Sequence, residues 1–112
     1  MKVYRRSEFM KLPEGTIYAK GKPWFFGDIT VKGDTFGNDW TCLSPMWIES
    51  AGEDDQWSRL DGMLECGYSY PMASAYGRDG CFADDEIFLV LERGDLERLR
   101  GIVDAALVVA GT

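Results

Sequence analysis

The side chains that most often carry out chemistry are scarce in this chain of 112 residues. There is no histidine, which removes Ser-His and Cys-His nucleophile pairs, His-ligated zinc and the best proton shuttle near neutral pH. Three cysteines, Cys42, Cys66 and Cys81, include no C-x-x-C pair. With no histidine to complete the set, they do not make a four-ligand zinc site. An odd number of widely spaced thiols suits a reducing compartment, where each reads as a small buried hydrophobe. The stretch from Gly15 to Lys22 superficially suggests a phosphate loop. Its two glycines are separated by five residues where the motif needs four, and Pro23 stands where Ser or Thr is required.

Carboxylates remain. Asp79, Asp84, Asp85 and Glu86 could supply oxygens to a hard cation, but they lack the alternation of an EF-hand loop. They read first as a solvated acidic lip before a strand. Glycoside hydrolysis by such a pair would need an apolar cleft to split the two pKa values, and no pattern in the sequence specifies one. Tyr68, Tyr70, Tyr76 and Phe82 cluster in the same stretch. Aromatics of this kind dominate binding hot spots because they bury rigid area at low entropic cost, although they can equally pack a loop onto a sheet. The expectation is therefore no enzyme, with no catalytic residue, metal or cofactor.

Composition sets the frame. Hydrophobic residues make up 46% and charged residues 28%, which excludes wholesale disorder, collagen-like repeats and a disulfide scaffold. The aromatic share of 13% favours a packed, β-containing core. The net charge of −7 is uneven. Residues 1–48 hold seven basic and five acidic side chains, and residues 49–112 hold five basic and fourteen acidic, so +2 is followed by −9. That asymmetry reads first as a solvated acidic face and, if it marks an interface, suits a basic protein partner over direct nucleic-acid binding. The basic start is not followed by a continuous apolar segment, and the longest apolar runs, 87–91 and 105–110, are far short of a membrane span. A cytoplasmic protein with no membrane partner is expected.

The elements that must position these residues follow from local pattern. Ser7 can cap a helical turn over 8–12, ended by Pro13. Strands are predicted over 16–20 and 24–32, joined by a hairpin at Gly21-Lys22, and a third begins near Trp40 and is interrupted at Pro45. A helix over 54–65 aligns Trp57, Leu60 and Leu64 on one stripe and ends at Gly67. Residues 68–85 read as a long loop. Residues 86–92 form the strongest strand, with the apolar run of a central position. A final helix, capped by Asp95, repeats Leu96, Leu99, Val103, Ala106 and Ala110 at helical spacing. The result is one α+β domain over 1–112: an antiparallel or mixed sheet of about four strands on two helices, in the order βββαβα. The expected core is Phe9, Leu12, Ile17, Ile29, Val31, Trp57, Leu60, Leu64, Phe88, Val90, Leu99 and Val103.

The run Phe9-x-x-Leu12-Pro13-x-Gly15-Thr16-x-Tyr18, with Lys20-x-Lys22-Pro23 and Lys32-Gly33-Asp34-Thr35, resembles small proteins of tailed bacteriophages and prophages. Tyr76-Gly77-Arg78-Asp79-Gly80-Cys81-Phe82 is similar to a second recurring block of that group. The resemblance implies an accessory protein acting in the host bacterial cytoplasm. Many such small acidic proteins block host defences by occupying a nucleic-acid or partner site, as anti-CRISPR proteins do. Together with the −9 balance after residue 48, the aromatic loop 68–82 and the missing catalytic side chains, this leads to the expectation that the partner-facing residues are Glu53, Asp54, Asp55, Asp79, Asp84 and Asp85, with Tyr70 and Tyr76 as anchors. The alternatives are a structural accessory protein of the phage and a carboxylate- or metal-dependent enzyme.

Overall fold

The computed structural model describes residues 1–22, 24–83 and 85–111. Its elements are β1 (Lys2–Arg5), α1 (Arg6–Phe9), β2 (Ile17–Lys22), β3 (Phe25–Phe36), β4 (Asp39–Ile48), α2 (Glu53–Cys66), β5 (Met72–Arg78), β6 (Ile87–Val90) and α3 (Arg93–Ala110). The six strands make one antiparallel sheet in the order β1-β6-β2-β3-β4-β5. The α+β class is as expected, with two strands and one helix more than the pattern suggested.

The β2–β3 hairpin exists, but Gly21 and Lys22 are paired strand residues, opposite Phe26 and Phe25, and are not the turn itself; Pro23 lies outside the described residues. Gly21 instead sits in the strand, where a Cβ would collide with the Phe25 backbone. Lys32-Gly33-Asp34, which has the composition of a turn, is a bulge: β3 runs through it, and a side chain at Gly33 would meet Thr41 across the ladder. A second irregularity, between Ser44 and Trp47, absorbs Pro45. Gly67 terminates α2 in the left-handed region at φ +73°. Asp95 does not cap α3 directly. Glu92 is the cap and Asp95, three residues on, completes a reciprocal capping box. Ser7 lies inside α1, behind Arg5 as the cap residue.

The period of two puts Tyr18, Lys20, Phe88 and Val90 on one face of the sheet, since Tyr18 faces Val90 and Lys20 faces Phe88. α1 delivers Phe9 onto that face. Phe9 stacks on Phe88 at 4.5 Å between ring centres and meets Trp40 edge-on at 5.0 Å. Phe9, Tyr18, Trp40, Phe88 and Val90 form the buried core, with Leu12, Tyr4, Met10 and Cys42 packed around it. Trp40 donates Nε1–H to the Tyr18 hydroxyl at 3.1 Å, and burial pushes the Tyr18 phenol pKa up. Lys32 is also buried. Its Nζ donates to the Thr35 hydroxyl at 2.6 Å, and burial lowers its pKa.

The opposite face carries Ile29, Val31 and Leu43. There the expected core is corrected. Phe9, Phe88 and Val90 are buried and Leu12, Ile17, Val31, Leu60 and Leu99 half-buried, but Ile29, Trp57, Leu64 and Val103 are exposed. The helical stripes exist with the expected membership. Helical period tells which residues share a side and is silent on whether anything covers it.

Candidate partner interface and the buried ion-pair network

Two groups of charged residues emerge, one closed and one open. The closed group lies at the α1 end of the sheet. Arg6 Nη1 donates to Asp79 Oδ2 at 2.8 Å and to the Cys81 carbonyl, while Nη2 donates to the Asn38 carbonyl at 2.7 Å. Its guanidinium lies 4.5 Å from the Trp40 ring centre and 5.0 Å from that of Phe82. Lys20 Nζ reaches Asp79 Oδ1 at 3.0 Å and Glu86 Oε2 at 3.3 Å. Cys81 N–H donates to Asp79 Oδ2 at 3.2 Å. Both oxygens of Asp79 are therefore engaged.

Asp39 is held in the same way by the N–H of Trp40 (2.8 Å), by Arg78 Nε (3.1 Å) and by the N–H of Gly80. Burial alone would raise the Asp39 pKa, but the Trp40 and Gly80 amides and the Arg78 guanidinium outweigh it, so the carboxyl titrates below the usual aspartate value. At Lys20 burial works the other way and is again outweighed: Asp79 and Glu86 raise its pKa. Only Glu86 is incompletely served, because its Oε1 is buried without a hydrogen-bond partner.

This arrangement corrects one sequence-based expectation. Asp79 is 2% exposed at its side chain and points into the network, so it does not face a partner. Asp85 is exposed and paired with Lys22. Asp84 lies outside the described residues. Among the described residues no cluster of three or more His, Cys, Asp or Glu side chains is placed to hold a metal ion.

The open group is α2. Its first turn carries Glu53, Asp54 and Asp55, and its remaining charges are Arg59, Asp61 and Glu65. Five acids against one base give the helix a net −4, with three of the acids at the end where the helix dipole favours them. Asp55 accepts the Ala51 N–H at 2.8 Å and pairs with Arg59 one turn on at 3.0 Å. Arg59 in turn lies 4.5 Å from the ring centre of Tyr70. The structure thus brings together Glu53, Asp54, Asp55 and Tyr70. Tyr76 is 84% exposed on edge strand β5, opposite Leu43. The sequence reading missed Trp57 and Leu64 as surface residues, placing them in the core; they are 59% and 82% exposed. Trp57 also lines a groove of about 640 Å³ with Trp47, Ile48, Glu49, Glu53 and Gln56. Its signal in the sequence was the apolar stripe set among acids, which reads as core or as interface with equal ease.

No helix among the described residues is long and apolar enough to cross a membrane. Comparison of the chain with protein-family models, curated proteins and solved structures finds no match in any of the three.

Proposed function

We propose that this chain is a non-enzymatic binding protein whose α2 face engages a basic surface on a host protein. The observation that carries the reading is the composition of one exposed helix: Trp57 and Leu64 lie uncovered between carboxylates on a helix of net −4. Large apolar side chains ringed by charge are the usual make-up of a recognition patch, with the apolar centre supplying affinity and the charges supplying orientation and rate. The partner is a protein with a cationic groove, including one that ordinarily holds nucleic acid, in keeping with the phage-like resemblance and an inhibitor of the anti-CRISPR kind in the host cytoplasm. The competing carboxylate-enzyme reading loses ground because the acids it would use, Asp79 and Glu86, are tied to Arg6 and Lys20.

The test is capture from bacterial lysate, followed by kinetics on the captured protein with Glu53, Asp54 and Asp55 all changed to Lys. Charge reversal should slow association by roughly ten-fold or more, and added salt should do the same to the unaltered chain. Trp57→Ala should instead speed release. Binding that ignores both salt and charge reversal defeats the proposal.

A further inference from the structure

We infer that the groove between the end of β4 and the start of α2 is a receptor for an arginine side chain of the partner protein, whose guanidinium enters between Trp47 and Trp57 and pairs with Glu49 and Glu53. This rests on the reading of α2 as a partner-binding face and names the group that the face receives. The groove has a volume of about 640 Å³. Its β4 side brings Trp47, with Glu49 just beyond the strand, and the first turns of α2 bring Glu53 and Trp57. Ala73, the cross-strand neighbour of Trp47, also lines the space and is too small to fill it. Clefts of this size take drug-sized ligands, so a long side chain with its flanking backbone fits.

The same molecule shows what such a set of side chains holds. At the closed end of the sheet, Arg6 lies 4.5 Å from the Trp40 ring centre and 5.0 Å from that of Phe82, and it donates to Asp79 at 2.8 Å. The groove repeats the aromatic and carboxylate parts of that set, and the chain supplies no cation to them. Trp47 and Trp57 are 45% and 59% exposed, and among the described residues no cation lies over either ring. Glu49 and Glu53 are exposed, and among the described residues neither carboxylate has an ion-pair partner. Arg59, the base of α2, is already committed to Asp55 at 3.0 Å, to the Glu49 carbonyl at 2.8 Å and to the Tyr70 ring at 4.5 Å. The positive pole of α2 lies at this end, but it amounts to about half a charge and three first-turn acids outweigh it. An apolar occupant would bury both carboxylates without a counter-charge. A guanidinium can stack flat on an indole while its edge N–H groups reach a carboxylate, whereas an ammonium is a strongly hydrated point charge.

The probe is the capped tripeptide acetyl-Gly-Arg-Gly-amide, titrated into the full chain while the four indole N–H signals are followed by NMR. Trp47 and Trp57 should shift saturably while Trp24 and Trp40 stay in place. The citrulline counterpart, nearly the same shape without the charge, should move none of them, and the lysine counterpart should bind measurably more weakly. Trp57→Ala should weaken arginine binding roughly five-fold and Glu49→Gln roughly three-fold. Glu8→Gln, which removes the same charge from α1, should leave it unchanged. No saturable shift at the two indoles, an equal response to citrulline or lysine, or an equal loss with Glu8→Gln overturns the inference. The peptide comparison uses the unaltered chain, so it stands whether or not a variant folds. A groove that takes the arginine tripeptide when lysate capture yields nothing supports this inference and counts against the α2 reading alone. A captured partner whose binding follows charge reversal at 53–55 but ignores Glu49→Gln and Trp57→Ala counts against this inference alone.

Discussion

At the α1 end of the sheet, Trp40 is fully buried, Arg6 stacks on it, and Asp39 and Asp79 have a donor for every oxygen. On α2, Trp57 stands 59% exposed and Glu53 and Asp54 face water. The two regions draw on the same residue types, an aromatic flanked by carboxylates, and differ in whether cations arrive to neutralise them. Near Trp40 the sheet brings Arg6, Lys20 and Arg78 to the acids. Around Trp57 a single Arg59 serves five acids. Balanced charge permits closure of the first region, whereas unbalanced charge keeps the second open for a partner that brings its own cations.

The largest effect expected from this contrast is at Trp40. Trp40→Ala should cost about 3–5 kcal/mol, read as a melting-temperature drop on the order of 15 °C. A loss under about 1 kcal/mol would mean that the closed region is not the centre of stability. Next comes Asp39. Its pKa is depressed in the folded state, so the stability it contributes is complete above the ordinary aspartate value of about 3.9 and is lost as pH falls through the lower folded value. Asp39→Asn should cost about 1.5–3 kcal/mol at neutral pH. It should also flatten the decline in melting temperature expected of the parent below about pH 4. An unchanged acid limb would remove Asp39 from the network. The smallest effect is at Leu64, where truncation to Ala should stay within about 0.5 kcal/mol. A larger loss in dilute solution would show that α2 is covered after all.

How much of this was legible in the sequence varies by element. Turn chemistry and alternation located β2, β3 and β4, and the unbroken apolar run within 86–92 marked a central strand, which the sheet places as β6 between β1 and β2. β5 was hidden. Its strand Met72–Arg78 includes Ala73, Ser74, Ala75 and Gly77, residues with little preference for extended structure, which pair along β4. β1 is four residues long, too short to show a period. The acidic stretch that opens α2 was visible from charge alone. The fate of Asp79 was not, since its partners Arg6 and Lys20 lie 73 and 59 positions away and nothing local announces them.

The position of β6 has a consequence for the order in which this sheet can be made. β2, β3, β4 and β5 are joined edge to edge in chain order, so each can pair as soon as its predecessor has emerged from the ribosome. β1 has no such neighbour. Lys2 must wait for Val90, and β6 must slot between β1 and β2 to satisfy both. β1, which precedes the other five strands of the sheet in the chain, is thus among the last to be paired, which raises contact order and slows folding. Until that insertion, the open edge of β2 is a site where a neighbouring nascent chain could add a strand of its own.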